Sequence, residues 1–512
     1  MRRHSGLREL GLLGVAAVAS FVLLTGCRGS SAPPTDGALP SLDGAPRDLA
    51  RADRARRADA RSPDAWLLDV GADLLPPTAL HVASLEDGQV GSGSFGDPYR
   101  DLQWAMDQAP SGATLFLRAG TYRARPTRYV DPTCGNCGDA SFREPIVATR
   151  GFLVTGKGLH LVGEQAERTL LVTSAGYGLV FENAGRSSVH GVTVTGGRRD
   201  PDGRATNGAI VVRRSELVVD RVRVVGNDGL RRPEQHVDRP ADGPVVGVAG
   251  IVGREGARLV VAHSIVEDNS WDGIVLYRGD PEAVDGAPRA EVTSCRVGCT
   301  VDCVVRHGRG VGIAATWDAS LTVTGSVVQN YWKGIGAFGR SVVHARNNLV
   351  RRQVGWGVVV TDQATLFADN NVVVDNGTTG VAAWTSTVRG RLVNNVVMGN
   401  GRAQEEWVGK RTGLWFNASA DRFRVAYNFF FDNHAADACQ GGRPGGLPCI
   451  PLAFDGVEGN RMLDPRLGGA PDYRPLPDSP VRDGGDPAVR DRDGSRSDVG
   501  LYGGPDGVRM LP

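Results

Sequence analysis

Lysine is nearly absent: Lys157, Lys333 and Lys410 stand against 55 arginines in 512 residues. We read that skew as codon bias. Charge of either sign in excess is also missing, since the formal net charge is +1. Nothing therefore argues for a nucleic-acid partner or for bulk electrostatic capture of an acidic polymer. The apolar run from Leu10 to Leu24 is too short and too promptly ended to cross a bilayer. Glycine, by contrast, is abundant: 70 residues, nearly twice the roughly 7% of an average chain. A backbone that turns a corner every few residues has that composition.

The corners recur. Gly312-Ile313, Gly334-Ile335, Gly357-Val358 and Gly380-Val381 are spaced 22 or 23 residues apart. Fourteen or fifteen positions after these glycines come Ser326-Val327, Asn348-Leu349, Asn371-Val372 and Asn395-Val396. Between them lie strands of a few residues with Val, Ile or Leu at alternate positions, too short to close a hairpin sheet. A period of this length predicts stacked coils of parallel strands, and an array in which each unit contacts only its neighbours outgrows the size limit of a single core. One long domain is the expectation. Asn348, Asn371 and Asn395 fall at equivalent corners, where stacked amides bond along the axis at about 4.8 Å spacing.

Before the repeats, Arg2, Arg3 and Arg8 precede the apolar run, which closes on Leu24-Thr25-Gly26-Cys27. This segment resembles a bacterial lipoprotein signal with its lipobox. The resemblance implies cleavage before Cys27, a lipid on its sulfur, and a membrane partner through that lipid alone. With Arg28 rather than Asp next, it favours the outer membrane or cell surface of an exported protein. Residues 28–78 read as a tether: Pro33, Pro34, Pro40 and Pro46 interrupt it, and an Ala-Arg-Asp run has almost no large apolar residues.

The domain spans 79–512. Asp101 to Ala109 reads as a short amphipathic helix with Leu102, Ala105 and Met106 on one side. It is followed by Ala109-Pro110-Ser111-Gly112-Ala113-Thr114 and Gly120-Thr121-Tyr122. With the preceding Gly-Ser and Pro-Tyr, these motifs resemble the entry segment of bacterial right-handed parallel β-helix proteins, a group with many pectate, alginate and chondroitin lyases. Asp464-Pro465, Ser479-Pro480-Val481 and Asp498-Val499-Gly500-Leu501-Tyr502-Gly503 resemble the closing segment of that family. The resemblance implies an all-β single-stranded solenoid: an N-cap over 80–122, coils over about 150–431, and a closing segment over 432–512 that returns along the helix. Long intervals between repeat glycines place loops near 230–246, 279–289 and 401–411, where binding specificity concentrates.

If the Ile and Val after each glycine point inward, the residues two and four places along point out. Two along come Val275, Ala314, Gly336, Val359 and Ala382, all small. Four or five along come Tyr277, Trp317, Phe338 and Trp384, and just before the glycines sit Trp271, Asp272, Trp332, Lys333 and Trp356. A floor of small side chains with aromatic rims suits a sugar chain. The other reading packs these rings beneath the long loops. In the lyases this chain resembles, a Lys or Arg takes the proton beside a uronate carboxylate while Ca²⁺ or another Arg neutralises that carboxylate. Lys333 is the candidate base, with Asp272 and Asp318 as acidic neighbours, although Asp272 lies two coils away, about 10 Å. A lysine beside a tryptophan also fits a solvated rim residue.

Arg306-His307-Gly308 faintly resembles the Gly-His-Gly of pectin hydrolases, but the adjacent Asp-Asp pair those enzymes need occurs nowhere in this chain. Asp491-Arg492-Asp493-Gly494 reads as a turn, because Val489 and Gly500 stand where an EF-hand wants acidic ligands. The cysteine count suits an oxidising compartment. Cys439 and Cys449 bracket a Gly-Pro loop and are expected to pair. Cys134-Gly-Asn-Cys137 fits a small disulfide loop, a metal half-site or a redox pair, of which the disulfide is favoured. Cys295, Cys299 and Cys303 leave an odd thiol and lack a fourth ligand for zinc. Two functions stay open: a lipid-anchored polysaccharide-binding protein with lyase-type cleavage, or a non-catalytic surface or adhesion rod.

Overall fold

A computed structural model describes residues 78–85, 89–227, 247–280, 283–300, 310–403, 410–441, 449–509 and 511–512. The lipobox with Cys27, the tether, Cys303, Arg306-His307 and the loop near 230–246 lie outside them. Each coil contributes one strand to each of three sheets, as in Ser320–Thr324, Val327–Gln329 and Lys333–Ala337, after which Val342–Arg346 returns to the first sheet. The first, second and third sheets hold 12, 11 and 13 strands among the described residues. Pairing between coils is parallel and in register, so that Ile274, Ile313, Ile335, Val358, Val381 and Leu414 form one column on the third sheet. Their side chains fill the interior. Val, Ile, Leu and Ala alternate there because a strand sends successive side chains to opposite faces.

The coils extend beyond both predicted limits. Ala113–Leu117 already pairs with Leu159–Gly163, and Gly120–Arg123 with Thr169–Val172, so the entry segment supplies strands as well as a cap. At the other end Ala436–Gln440 continues the third sheet past Phe431. In both places buried residues alternate as in the coils, with Leu115, Leu117 and Tyr122 at the start and Ala438 at the close. Antiparallel strand pairs among the described residues occur only where Ile450–Pro451 blocks the last strand and where Thr127–Asp131 lies along Ile146–Arg150. Helix α1, Leu102–Gln108, is capped by the Asp101 carboxylate, which accepts from Trp104 N at 2.9 Å, and buries Leu102, Ala105 and Met106 over the open end. Gln103 accepts from Leu153 N and donates to Leu153 O, which satisfies the free edge of the third sheet.

At the corner between the first and second sheets the asparagines form a ladder. Asn348, Asn371, Asn395 and Asn428 each donate through Nδ2 to the Oδ1 of the next, at 2.9 to 3.0 Å, ending on Asn460. The same Oδ1 atoms accept from the backbone N–H one coil below. A second ladder joins Asn376, Asn400 and Asn433. The residues just before the first ladder, Asn347, Asn370 and Asn394, take positive φ and bind the tail instead, through Leu501 O, Asp498 O and Asp486 N. The tail thereby lies on the outer face of the second sheet, with Tyr473, Val481, Val499 and Leu501 packed on Val327, Leu349, Val372 and Phe429. Asn371→Ala orphans buried backbone and amide groups on both neighbouring coils and is expected to cost about 3 kcal/mol. The denaturation midpoint reads this loss, and an unchanged midpoint would contradict the ladder's role.

Candidate functional site

The outer face of the third sheet is divided in two. At its early coils lies the segment from Thr127 to Glu144, which starts as an edge strand of this sheet and packs Tyr129 on the outward cluster of Tyr177, Val180, Val211, Val252 and Val275. It is fastened by ions. Arg254, 0% exposed, donates to Asp131 Oδ2 at 3.0 Å, to Glu255 Oε1 at 2.9 Å and to Thr133 O at 2.8 Å. Arg213 bridges Asp131, Glu182 and Glu255. Gly135 passes so close to Arg254 that a Cβ there would strike the guanidinium. Burial alone would raise the Asp131 carboxyl, but Arg254 and Arg213 hold it below the ordinary value.

Several predicted site residues belong to this covered half. Tyr277 is buried and donates its hydroxyl to Asp272 Oδ2 at 2.8 Å, so its ring is not a sugar platform. Half-buried Trp271 stands beside that hydroxyl. Trp317 donates Nε1 to Asn136 Oδ1 at 3.2 Å, and the Arg278 guanidinium sits 4.7 Å from its ring centre. One face of Trp317 is thus occupied by the Cys134–Cys137 segment and its neighbours. Asp318 accepts from Gly279 N at 3.0 Å at the far end of the strand from Lys333, so the structure does not bring those two together.

The later coils carry a row of indoles. Trp332 and Trp356 meet edge to face at 6.4 Å, Trp356 and Trp384 at 5.4 Å, and Trp384 and Trp415 at 5.6 Å between ring centres. Trp356 and Trp415 are buried, while Trp332 and Trp384 are half-buried. The row therefore has a packed base and two partly exposed rings. Phe338 folds over Gly336, where a Cβ would collide with its ring, and closes the row toward the covered half. Sequence reasoning passed over Trp415, which stands two places after Gly413 at the offset that holds Ala382 in the coil before. The repeat spacing alone would have found it.

Lys333 lies at the start of its strand, in register with Val311 on one side and Trp356 on the other. Its Nζ is 5.1 Å from the Trp356 ring centre. Burial against that ring pulls the ammonium pKa down to about 8, and the Asp272 charge opposes the shift. Asp272 accepts from Val311 N at 2.8 Å and from Tyr277, and burial pushes its carboxyl up to about 6. The two are coupled through an apolar medium with no direct ion pair between them. A Ca²⁺ ion wants six to eight oxygens. Among the described residues one carboxylate, that of Asp272, stands near Lys333, and both its oxygens are already engaged, so the described residues do not fit a resident Ca²⁺.

Among the described cysteines, Cys134 and Cys137 stand at bonding distance with Cα atoms 5.4 Å apart, and Cys439 and Cys449 with Cα atoms 5.5 Å apart. Cys295 is a buried free thiol inside the coil, where burial pushes its pKa up to about 12. That placement removes it from any shared zinc site.

Residues 283–397 match the family model described as right handed beta helix region. The chain is a right-handed parallel β-helix. Among solved structures, this β-helix is similar to the pectate lyase Pel9A, at 15% identity and TM-score 0.47, over 83% of this chain and 96% of that one. It is also similar to a lacto-N-biosidase from Eubacterium ramulus, at 11% identity and TM-score 0.38, over 75% and 67% of the two chains. A third is the alginate lyase AlyGC, at 12% identity and TM-score 0.38, over 80% and 57%. At these identities the likeness is one of fold. No curated protein matches the sequence.

Proposed function

We propose that the β-helix binds an acidic polysaccharide on the later half of the third sheet's outer face and cleaves it by β-elimination, with Lys333 as the base. The observation that carries this is a half-buried lysine with its pKa drawn to about 8, set beside the partly exposed rings of Trp332 and Trp384. Uronate elimination needs a base with an appreciable neutral fraction near its working pH, which a pKa of about 8 supplies in mildly alkaline solution. Lys333 takes the proton from the carbon next to the carboxylate. The electron pair left behind forms a carbon–carbon double bond and expels the glycosidic oxygen from the adjacent carbon. Indole faces hold the apolar side of a sugar ring and exclude water.

A second reading, a non-catalytic binding or adhesion rod, is favoured by the burial of Trp356, Trp415, Tyr277 and Asp272, which serve packing. Replacing Trp332 and Trp384 together by Ala separates the face from both alternatives. Binding to alginate, pectate or chondroitin, followed by affinity electrophoresis, is expected to weaken about tenfold, which is ~1.4 kcal/mol. Unchanged retardation on every polymer that the parent protein binds would remove the face from the account. We further infer an exported protein tethered by a lipid on Cys27, with disulfides at Cys134–Cys137 and Cys439–Cys449. Metabolic labelling with a radioactive fatty acid, lost in Cys27→Ser, is the expected result for the anchor.

A further inference from the structure

On the opposite side of the coils, where the first sheet turns into the second, a hollow of about 370 Å³ opens between residues 162 and 265. Two of its lining residues, His190 and His263, share a carboxylate, that of Asp220, and the three come from consecutive coils. His190 and Asp220 are register partners, and His263 follows Ala262, the next residue in that column. Asp220 Oδ2 lies 3.2 Å from His190 Nδ1, and Asp220 Oδ1 lies 2.8 Å from His263 Nδ1. The Asp220 side chain is 7% exposed, that of His190 15% and that of His263 42%. A single carboxylate therefore fixes two imidazoles that both reach the hollow.

The chemistry of this trio follows from which atoms carry protons. Burial would raise the Asp220 carboxyl, but hydrogen bonds from both rings and the Arg221 charge hold it below its ordinary value, so it is ionised and only accepts. Both Nδ1 atoms then carry hydrogen, and the proton that comes and goes is the one on each Nε2. As a neutral ring, each histidine presents an Nε2 lone pair, which repels an oxyanion. Once protonated it presents a donor. The other charges of the lining balance, Arg221 and Arg223 against Glu164 and Glu167, so the histidines decide its sign. Arg221 pairs with Asp220 at 2.7 Å, and Arg223 lines the hollow. Glu164 is engaged by Ala119 N at 2.7 Å, Glu167 is an exposed rim residue 4.0 Å from Arg223, and beyond His263 the Glu267 carboxylate is held by Arg296 at 2.7 Å. His160, one strand away, bonds Ser188.

We propose that this hollow is a second ligand site, which takes a small oxyanion, a carboxylate or a phosphate group, when His190 and His263 are protonated. Arg223 supplies the fixed charge, the two Nε2–H groups supply the switched donors, and Asp220 positions both rings. The site shares no residue with the face around Lys333 and does not depend on it.

Calorimetry on the full chain with inorganic phosphate and, separately, with glucuronate tests this at about pH 5.5 and pH 8. At least one anion is expected to bind at the lower pH and to weaken about tenfold or more at the higher. Which of the two binds distinguishes phosphate from carboxylate as the source. His190→Gln with His263→Gln is expected to abolish the pH dependence, and Arg223→Gln to weaken binding at both pH values, each in a protein with a parental thermal melt. His263→Gln alone, at the more exposed ring, covers the case in which the double variant fails to fold and is expected to reduce the pH dependence. Absence of binding by both anions at the lower pH overturns the proposal. So does equal affinity at the two pH values, or a pH dependence that survives removal of the histidines.

Discussion

Arg254→Met is expected to destabilise the β-helix by about 3–5 kcal/mol, because it leaves the buried Asp131 and Glu255 carboxylates with Arg213 as the one cation they share. Most ion pairs elsewhere are exposed, such as Arg424 with Glu458 or Arg402 with Asp432, and pairs of that kind contribute about 0–1 kcal/mol. The contrast is one of solvation. A surface carboxylate that loses its arginine turns to water, whereas Asp131 has Tyr177, Thr133 and Arg213 around it and no water to turn to. The consequence reaches the fold through the segment from Thr127 to Glu144, since that segment holds Asp131 and Thr133. Urea unfolding of the variant against the parent measures the loss, and a midpoint shift worth less than about 1 kcal/mol would contradict it. The pH dependence has a defined sign. The Asp131 carboxyl in the folded protein lies below its ordinary 3.8, so its stabilisation is complete above that value and is lost as pH falls through the lower, folded one. Without Arg254, acid unfolding is expected to begin at a higher pH.

Lys333→Met is expected to lower the turnover of a uronate polymer about 10²–10⁴-fold, the range that general-base catalysis supplies. Methionine keeps most of the packing on Trp356 while removing the proton acceptor, so binding is expected to change far less than turnover. On the proposed mechanism the reactive form of Lys333 is the neutral amine, and its pKa of about 8 places an ascending limb of the rate there. Burial lowers that pKa and the Asp272 charge raises it, so Asp272→Asn removes the opposing influence and is expected to move the limb to lower pH. A limb that stays in place in Asp272→Asn, or a Lys333→Met variant as active as the parent, contradicts the assignment of the base.

What could be read in the sequence divides along physical lines. The stacking was legible because a repeat glycine, an inward aliphatic residue and a corner asparagine recur at fixed spacing, and each answers to a local requirement of backbone or amide. The outward direction of Tyr277, Phe338 and Trp384, four places after their glycines, was legible for the same reason, since alternation along a strand sets it, whereas Trp317, five places along, owes its direction to the positive-φ turn after Val311–Ala315. Their exposure was not. Tyr277 points out of its sheet, as alternation demands, yet is buried in the outward cluster with Tyr177 and Tyr129, its hydroxyl on Asp272. Trp317 is engaged by Asn136 and Arg278 from that same side. Local pattern says which way a side chain faces, and only tertiary structure says what covers it. The His190, Asp220 and His263 column escaped notice on similar grounds: the three come from coils of unequal length, so no fixed spacing links them.

One assay tests whether a base at Lys333 acts on a uronate chain laid along Trp332 and Trp384. The purified protein is incubated with alginate, pectate and chondroitin, with and without added Ca²⁺, and the absorbance of unsaturated uronate is followed over time. The account predicts a rise on at least one polymer, faster above pH 8 than below and absent in Lys333→Met. A flat trace on all three polymers, with and without Ca²⁺, from protein that still binds them would contradict cleavage and leave the β-helix as a binding rod.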